Sequence, residues 1–303
     1  MATTRNTGLR TVGWRTWLGG ALALTTSLTA PGTAFAASPG FGAHPAEHRS
    51  VGNYVALGDS YASGPGIADQ TDAVCARSDQ AYPALVARAR QATSFSNVTC
   101  SGATTAHLTQ GQGTVAPQLD AVGPATDLVT LTIGGNDIGF SRILGTCAQL
   151  STTDVTGSPC RTFYGSSGTD QLALNIEQTT PKVSAVLADI QQRAPQARVV
   201  VVGYPDLLPD DGFGCFPTVP FAAGDFAYLR DTEKRLNAML ARAARRGHAT
   251  YVDTYTSSIG HDMCQAAGTR WVEPLTPQAP AAPAHPNAAG QAAMAAAIER
   301  RVC

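Results

Sequence analysis

The apolar run Tyr54-Val55-Ala56-Leu57 stops abruptly at Gly58-Asp59-Ser60. A strand that ends this way delivers a side chain to the rim of a sheet, and in an open α/β sheet ligands bind beyond the carboxyl ends of the strands. Three later small-residue stretches carry further polar groups: Gly102 in Ser101-Gly102-Ala103-Thr104, Asn136 in Gly134-Gly135-Asn136-Asp137, and His285 in His285-Pro286-Asn287. Together they supply what acyl transfer needs. A serine hydroxyl is a poor nucleophile until a base takes its proton, and histidine does this best near neutral pH. The tetrahedral oxyanion needs fixed donors, which the backbone N–H groups of Ser60 and Gly102 and the side-chain amide of Asn136 offer; each such donor is typically worth about 10²–10³ in rate. Taken singly, each residue has a plainer role: Asp59 or Ser60 as a helix cap, Gly102 as a turn glycine, Asn136 as an Asx turn, His285 as a half-buried surface side chain. The joint order carries the reading. His107, His248 and His261 fit the mechanism less well and are read as structural, His44 and His48 as solvated, and no histidine–carboxylate cluster of metal-ligand type calls for a metal or cofactor.

The elements that must position these groups alternate between strand and helix. After the opening strand, Gln80–Arg90 reads as a first crossover helix, with Pro83 suited to its first turn. Phe95–Cys100 alternates like a half-buried strand, and Asp127–Ile133 is a third strand rich in β-branched residues. Residues 140–168 read as a polar, cysteine-containing insertion over the catalytic edge. Val183, Val186, Leu187 and Ile190 have helical spacing within Gln171–Arg193, and the apolar run 197–203 suits a strand covered on both faces. A long loop at 205–220 precedes a helix bearing Phe226, Leu229, Leu236, Met239, Leu240 and Ala243 on one face; then come a short strand at 249–252 and an alanine-rich helix at 288–300. This predicts a single α/β domain, three layers α/β/α, around a parallel sheet of about five strands.

The chain has 303 residues, 44% hydrophobic and 14% charged, enough to bury a core. Arg5, Arg10 and Arg15 precede an apolar stretch from about Trp17 to Ala30, which is followed by the small-residue site Ala34-Phe35-Ala36, so residues 1–36 read as a removable secretory signal cleaved after Ala36; the stretch is too short and too interrupted for a membrane anchor. Residues 37–50 form a patternless lead-in and 51–303 the catalytic domain. Without the three arginines the chain holds 18 basic against 22 acidic residues, a formal −4, which argues against a nucleic-acid partner. Seven cysteines without a C-x-x-C in an exported chain favour disulfides over zinc. Pairing sequence neighbours gives Cys75–Cys100, Cys147–Cys160 and Cys215–Cys264 with Cys303 left over, although six cysteines allow 15 arrangements.

The four blocks, in this order, resemble the SGNH (GDSL) hydrolase superfamily, in particular the secreted lipases and esterases of actinobacteria, from about Asn53 to the C-terminus. The resemblance implies Ser60 as nucleophile, Gly102 and Asn136 as oxyanion donors and His285 as base. It also implies three sequential disulfides, in agreement with the pairing above. The α/β-hydrolase alternative fails because Gly58-Asp59-Ser60-Tyr61-Ala62 lacks the second glycine of G-x-S-x-G. The implied activity is hydrolysis of carboxylic esters, with a triacylglycerol lipase acting as a secreted monomer on fatty-acyl substrate as the main reading. Phospholipase A1 or carbohydrate O-deacetylase is the alternative, and a non-catalytic binding protein on the same scaffold a remote one.

In one respect the chain departs from the family pattern. Many members carry an Asp three residues before the histidine, where this chain has Ala282. The stiff segment Pro280-Ala281-Ala282-Pro283 could instead aim a carbonyl of Ala282 or Pro283 at the imidazole Nδ1–H, giving a Ser60–His285 dyad oriented by main chain. The competing reading brings a distant acid, Asp253, Asp262 or Glu273, back to complete a triad.

Overall fold

A computed structural model describes residues 50–302. The signal reading for 1–36, nearly all of the lead-in and Cys303 lie outside the described residues. The elements in chain order are β1 (Asn53–Gly58), α1 (Ser60–Ser63), β2 (Gln70–Asp72), β3 (Arg77–Ser78), α2 (Tyr82–Ala89), β4 (Ser94–Asn97), β5 (Leu128–Thr132), α3 (Phe140–Ser151), α4 (Pro159–Tyr164), α5 (Gln171–Arg193), β6 (Arg198–Val202), α6 (Asp225–Arg246), β7 (Thr250–Val252) and α7 (Ala288–Val302). Five parallel strands run in the order β4-β1-β5-β6-β7, while β2 and β3 form a separate antiparallel pair. The chain steps from β1 outward to β4 and then returns to the other side of β1 at β5. This reversal leaves a crevice at the carboxyl ends of β1 and β5, the strands that lead into Ser60 and Asn136.

The central strands are mostly apolar because both faces are covered, and the two buried polar side chains of β5, Thr130 and Thr132, are paired with the hydroxyls of Tyr54 and Tyr82 at 2.8 Å. Along β1, Tyr54 and Ala56 pack with Val86 of α2 and Met294 and Ile298 of α7, whereas Val55 and Leu57 pack with Val183 and Leu187 of α5 and Leu236 and Leu240 of α6. A period of two thus sorts one strand between two helical layers. Three of the sequence readings differ from the structure. The second sheet strand, β4, is shorter than Phe95–Cys100 and mostly exposed, because it is an edge strand with one neighbour. The 140–168 insertion contains helices α3 and α4, which bury Ile143, Leu144, Cys147 and Cys160; Phe140, Ile143, Leu144 and Cys147 are spaced as one face of a helix, a signal passed over in a segment read for its polar, cysteine-containing composition. The β2–β3 pair and the single-turn α1 are too short to leave a periodic signal. Disulfides join Cys75 to Cys100, Cys147 to Cys160 and Cys215 to Cys264.

Gly58 closes β1 at φ +142°, and a Cβ there would lie 2.5 Å from the Thr132 carbonyl oxygen of the neighbouring strand. Gln118 clamps the same residue through both its backbone groups, its Oε1 accepting from the Gly58 N–H at 2.7 Å and its Nε2 donating to the Gly58 carbonyl at 2.9 Å. This position therefore excludes a side chain by conformation and by space. Gly58→Ala is expected to cost at least the roughly 1–3 kcal/mol of an enforced strained backbone and to lower the melting temperature measurably; a variant that melts with the parent would contradict this.

Candidate active site

Ser60 opens α1 directly after β1, and the local sequence makes the turn. Asp59 caps the helix, its Oδ1 accepting from the Tyr61 N–H at 3.0 Å, and Gly64 ends it in the left-handed conformation with its N–H on the Ser60 carbonyl at 3.1 Å. The Ser60 side chain meets the imidazole that sequence reasoning placed 225 residues away: Oγ lies 2.7 Å from His285 Nε2, and His285 Nδ1 lies 2.7 Å from the Pro283 carbonyl oxygen. A carbonyl only accepts, so Nδ1 carries the proton and Nε2 presents its lone pair to the serine hydroxyl. Burial lowers the His285 pKa, and the Pro283 hydrogen bond partly offsets this.

The histidine is held from several sides. Ala284, between Pro283 and His285, takes φ +57°, an uncommon conformation for a residue with a Cβ, and the Tyr61 hydroxyl donates to its carbonyl at 2.6 Å. The Tyr61 ring centroid lies 4.9 Å from that of His285. The His285 carbonyl accepts from the Glu273 N–H at 3.0 Å. Glu273 forms a buried ion pair with Arg270 at 3.2 Å, and its carboxylate also accepts from Asn287 Nδ2 at 2.9 Å and the Gln278 N–H at 3.0 Å. Burial opposes its ionisation, but these hydrogen bonds and Arg270 keep its pKa below the usual carboxylate range. Of the other two acids, Asp253 accepts from the Thr256 N–H and hydroxyl, and Asp262 from the Cys264 N–H and Gln265. The group facing His285 Nδ1 is the Pro283 carbonyl.

The Gly102 and Asn136 loops adjoin. One hydrogen of the Asn136 amide donates to the Ala103 carbonyl at 2.9 Å, which leaves its second hydrogen free, and Thr105 donates its N–H and hydroxyl to Asp137 at 2.9 and 2.5 Å. Gly102 has φ +78°, and neither its N–H nor that of Ser60 donates to another group among the described residues. His107 Nδ1 accepts from the Thr104 N–H at 3.0 Å and His261 stacks on Trp271, both within local loop structure.

Sequence reasoning missed Tyr204. It follows β6, and its hydroxyl accepts from the Gly135 N–H at 2.8 Å and donates to Asp59 Oδ2 at 2.5 Å. Burial pushes the Asp59 pKa up to about 7, against the opposing pull of the Tyr204 and Tyr61 hydrogen bonds. An aromatic residue just past a strand reads as core, and the ring is indeed buried. The available signal was its position: like Ser60 and Asn136, it stands at a strand's carboxyl end.

An apolar pocket opens at Ser60 and Asn136. Ile143 and Leu144 of α3, Leu207 and Leu208 after β6, Leu229 and Leu236 of α6, and Met263 line it. The Cys147–Cys160 bridge ties the α3 wall to α4, and Cys215–Cys264 ties the loop that follows Leu208 to the residue after Met263. Glu233 also borders the pocket; burial, with Asp206 nearby, raises its pKa well above the usual range.

A serine–histidine couple at the switch point of a doubly wound parallel sheet, beside an apolar pocket, defines the class of α/β serine hydrolases. Residues 56–293 match the model of the GDSL-like lipase/acylhydrolase family, and the chain belongs to that family. It is 43% identical over 261 residues to Lipase 2 of Streptomyces coelicolor, covering 84% of this chain and 86% of that protein. Among solved structures, the extracellular lipase of Streptomyces rimosus is 32% identical with a TM-score of 0.69, covering 82% of this chain and 98% of its own. Phospholipase A1 of Streptomyces albidoflavus NA297 is 29% identical with the same TM-score, covering 83% and 99%.

The Arg270–Glu273 pair supports the histidine loop without touching the imidazole. Removing one partner of a buried pair strands the other charge at a cost of about 3–5 kcal/mol. Glu273→Ala should therefore melt well below the parent, whereas the exposed Asp253→Ala should melt close to the parent and keep ester turnover within about twofold. A loss of turnover near ~10⁴ in folded Asp253→Ala, as when a triad acid is neutralised, would reinstate the acid.

Proposed function

We propose that this protein is an exported, monomeric serine hydrolase of carboxylic esters that cleaves fatty-acyl substrates through an acyl-enzyme on Ser60. The observation that carries the reading is the alignment of Ser60 Oγ, His285 Nε2 and Nδ1, and the Pro283 carbonyl, each contact at 2.7 Å. His285 takes the Ser60 proton as Oγ attacks the ester carbon, and the negative charge that develops on the former carbonyl oxygen meets the Ser60 and Gly102 N–H groups and the free Asn136 amide hydrogen. Collapse of this intermediate expels the alcohol, which takes its proton from His285, and water then repeats the sequence on the acyl-enzyme. The Pro283 carbonyl orients the imidazole and offers the imidazolium a dipole in place of a full charge.

The apolar pocket favours acyl chains over acetyl groups, which supports a lipase or phospholipase over a carbohydrate O-deacetylase. Three disulfides suit an oxidising compartment outside the cytosol. No helix among the described residues is long and apolar enough to cross a membrane.

Ser60→Ala and His285→Ala are expected to abolish p-nitrophenyl ester hydrolysis, a fluorophosphonate to label Ser60, and a chelator to leave turnover unchanged. Hydrolysis retained in Ser60→Ala, or lost to the chelator, refutes the mechanism. Across p-nitrophenyl esters, kcat/KM should rise from acetate to medium chains; activity confined to acetate or to acetylated sugars refutes the substrate assignment.

A further inference from the structure

One hydrogen-bonded circuit ties the ends of four strands together around the reacting serine. Starting beyond β4, the Ala103 carbonyl accepts from the Asn136 amide at 2.9 Å. The peptide before Asn136 continues it, with the Gly135 N–H donating to the Tyr204 hydroxyl beyond β6 at 2.8 Å. Tyr204 donates in turn to Asp59 Oδ2 beyond β1 at 2.5 Å, and Asp59 Oδ1 accepts from the Tyr61 N–H at 3.0 Å, at the start of the helix that carries Ser60. Asp59 and Tyr204 are both buried, and both border the apolar pocket. Neither side chain contacts His285, so the proton-transfer couple does not need them. What they do join is the serine turn and the Gly135-Asn136 loop, the two segments that must keep a fixed spacing if oxyanion donors are to meet one oxygen atom.

From this circuit we propose that the Tyr204 hydroxyl, acting through Asp59 and the Gly135 peptide, is a positioning group for the oxyanion site, holding the Ser60 and Asn136 donors in register for the transition state. The phenol is suited to the task because one oxygen both accepts and donates, so it can bridge an N–H and a carboxylate that cannot reach each other. Its ring packs edge-on against Tyr61 with centroids 5.0 Å apart, which fixes where the hydroxyl stands. Donor geometry matters most in the tetrahedral state, when charge sits on the oxygen. Loss of the bridge must therefore appear in kcat and leave KM, set by the acyl pocket, nearly unchanged. The inference rests on Ser60 being the nucleophile.

The experiment uses the full chain with Ser60→Ala, Tyr204→Phe, Asp59→Asn and the Tyr204→Phe/Asp59→Asn double variant, assayed on one medium-chain p-nitrophenyl ester. It is accompanied by the affinity of an alkyl boronic acid that forms a tetrahedral adduct on the serine. Tyr204→Phe keeps the ring and is expected to lower kcat at least tenfold and boronate affinity in parallel, with KM within about twofold. The double variant should be no slower than the slower single variant, since both substitutions break one bridge. An inactive Ser60→Ala combined with a Tyr204→Phe that keeps kcat and boronate affinity within twofold overturns the positioning role alone; an active Ser60→Ala overturns the underlying mechanism instead. Losses that multiply in the double variant, or a fall in kcat with unchanged boronate affinity, also overturn it. If Tyr204→Phe does not fold, the isosteric Asp59→Asn carries the same expectation for kcat, KM and boronate.

Discussion

The hydrogen bond between Ser60 Oγ and His285 Nε2 joins the first strand's end to the threshold of the last helix, and much of the chain serves to hold its two partners 2.7 Å apart. A side-chain hydrogen bond exposed to water is worth about 0.5–1.5 kcal/mol net, too little to position two loops by itself. The geometry must come from rigid supports. Ser60 is fixed by a capped turn pressed against β5 at a glycine with no space for a Cβ, and His285 by a loop whose Ala284 and His285 carbonyls accept from the Tyr61 hydroxyl and the Glu273 N–H. The Tyr61 hydroxyl links the two directly, because the residue after the serine donates to the residue before the histidine.

The supports on the two sides differ in chemistry. The serine side uses a carboxyl–phenol pair in an apolar setting, where burial pushes the Asp59 pKa up to about 7 and a hydrogen-bond donor becomes necessary. The histidine side uses a full ion pair, Arg270–Glu273, surrounded by enough donors to keep Glu273 ionised despite its burial. In both cases the charge stands behind the reacting groups, out of contact with Ser60 Oγ and the imidazole. The arrangement leaves the pocket mouth apolar, which suits a substrate whose recognised part is a hydrocarbon chain.

The disulfides follow the same division. Cys75–Cys100 closes the loops after β1 and β4, where the Cys75 carbonyl also accepts from the Ser101 N–H at 2.9 Å, one residue before Gly102. The other two bridges staple the segments that wall the apolar pocket. Long loops carry little core of their own, so covalent closure restricts them where hydrophobic burial cannot.

Much of this was legible in the residue order. The buried strands announce themselves as largely apolar runs because a doubly covered sheet admits polar side chains only where, as at Thr130 and Thr132, a buried partner meets them, and helices α5, α6 and α7 carry long, regular apolar stripes or strong helix formers. Ser60, Gly102, Asn136 and His285 stood out as candidates through their joint order, each in a small-residue stretch after a strand or before a helix, since any one of them alone also suits a turn or cap. Tertiary structure decided what depends on distance between segments: that β4 is an exposed edge, that the 140–168 segment walls a pocket, that none of Asp253, Asp262 or Glu273 reaches the imidazole, which leaves the locally supplied Pro283 carbonyl, and that Tyr204 bridges Asp59 to Gly135. Sequence spacing determines which groups a turn presents. Which phenol then lies within 3 Å of a carboxylate 145 residues away is set by how the strand ends are brought side by side, and no local pattern records it.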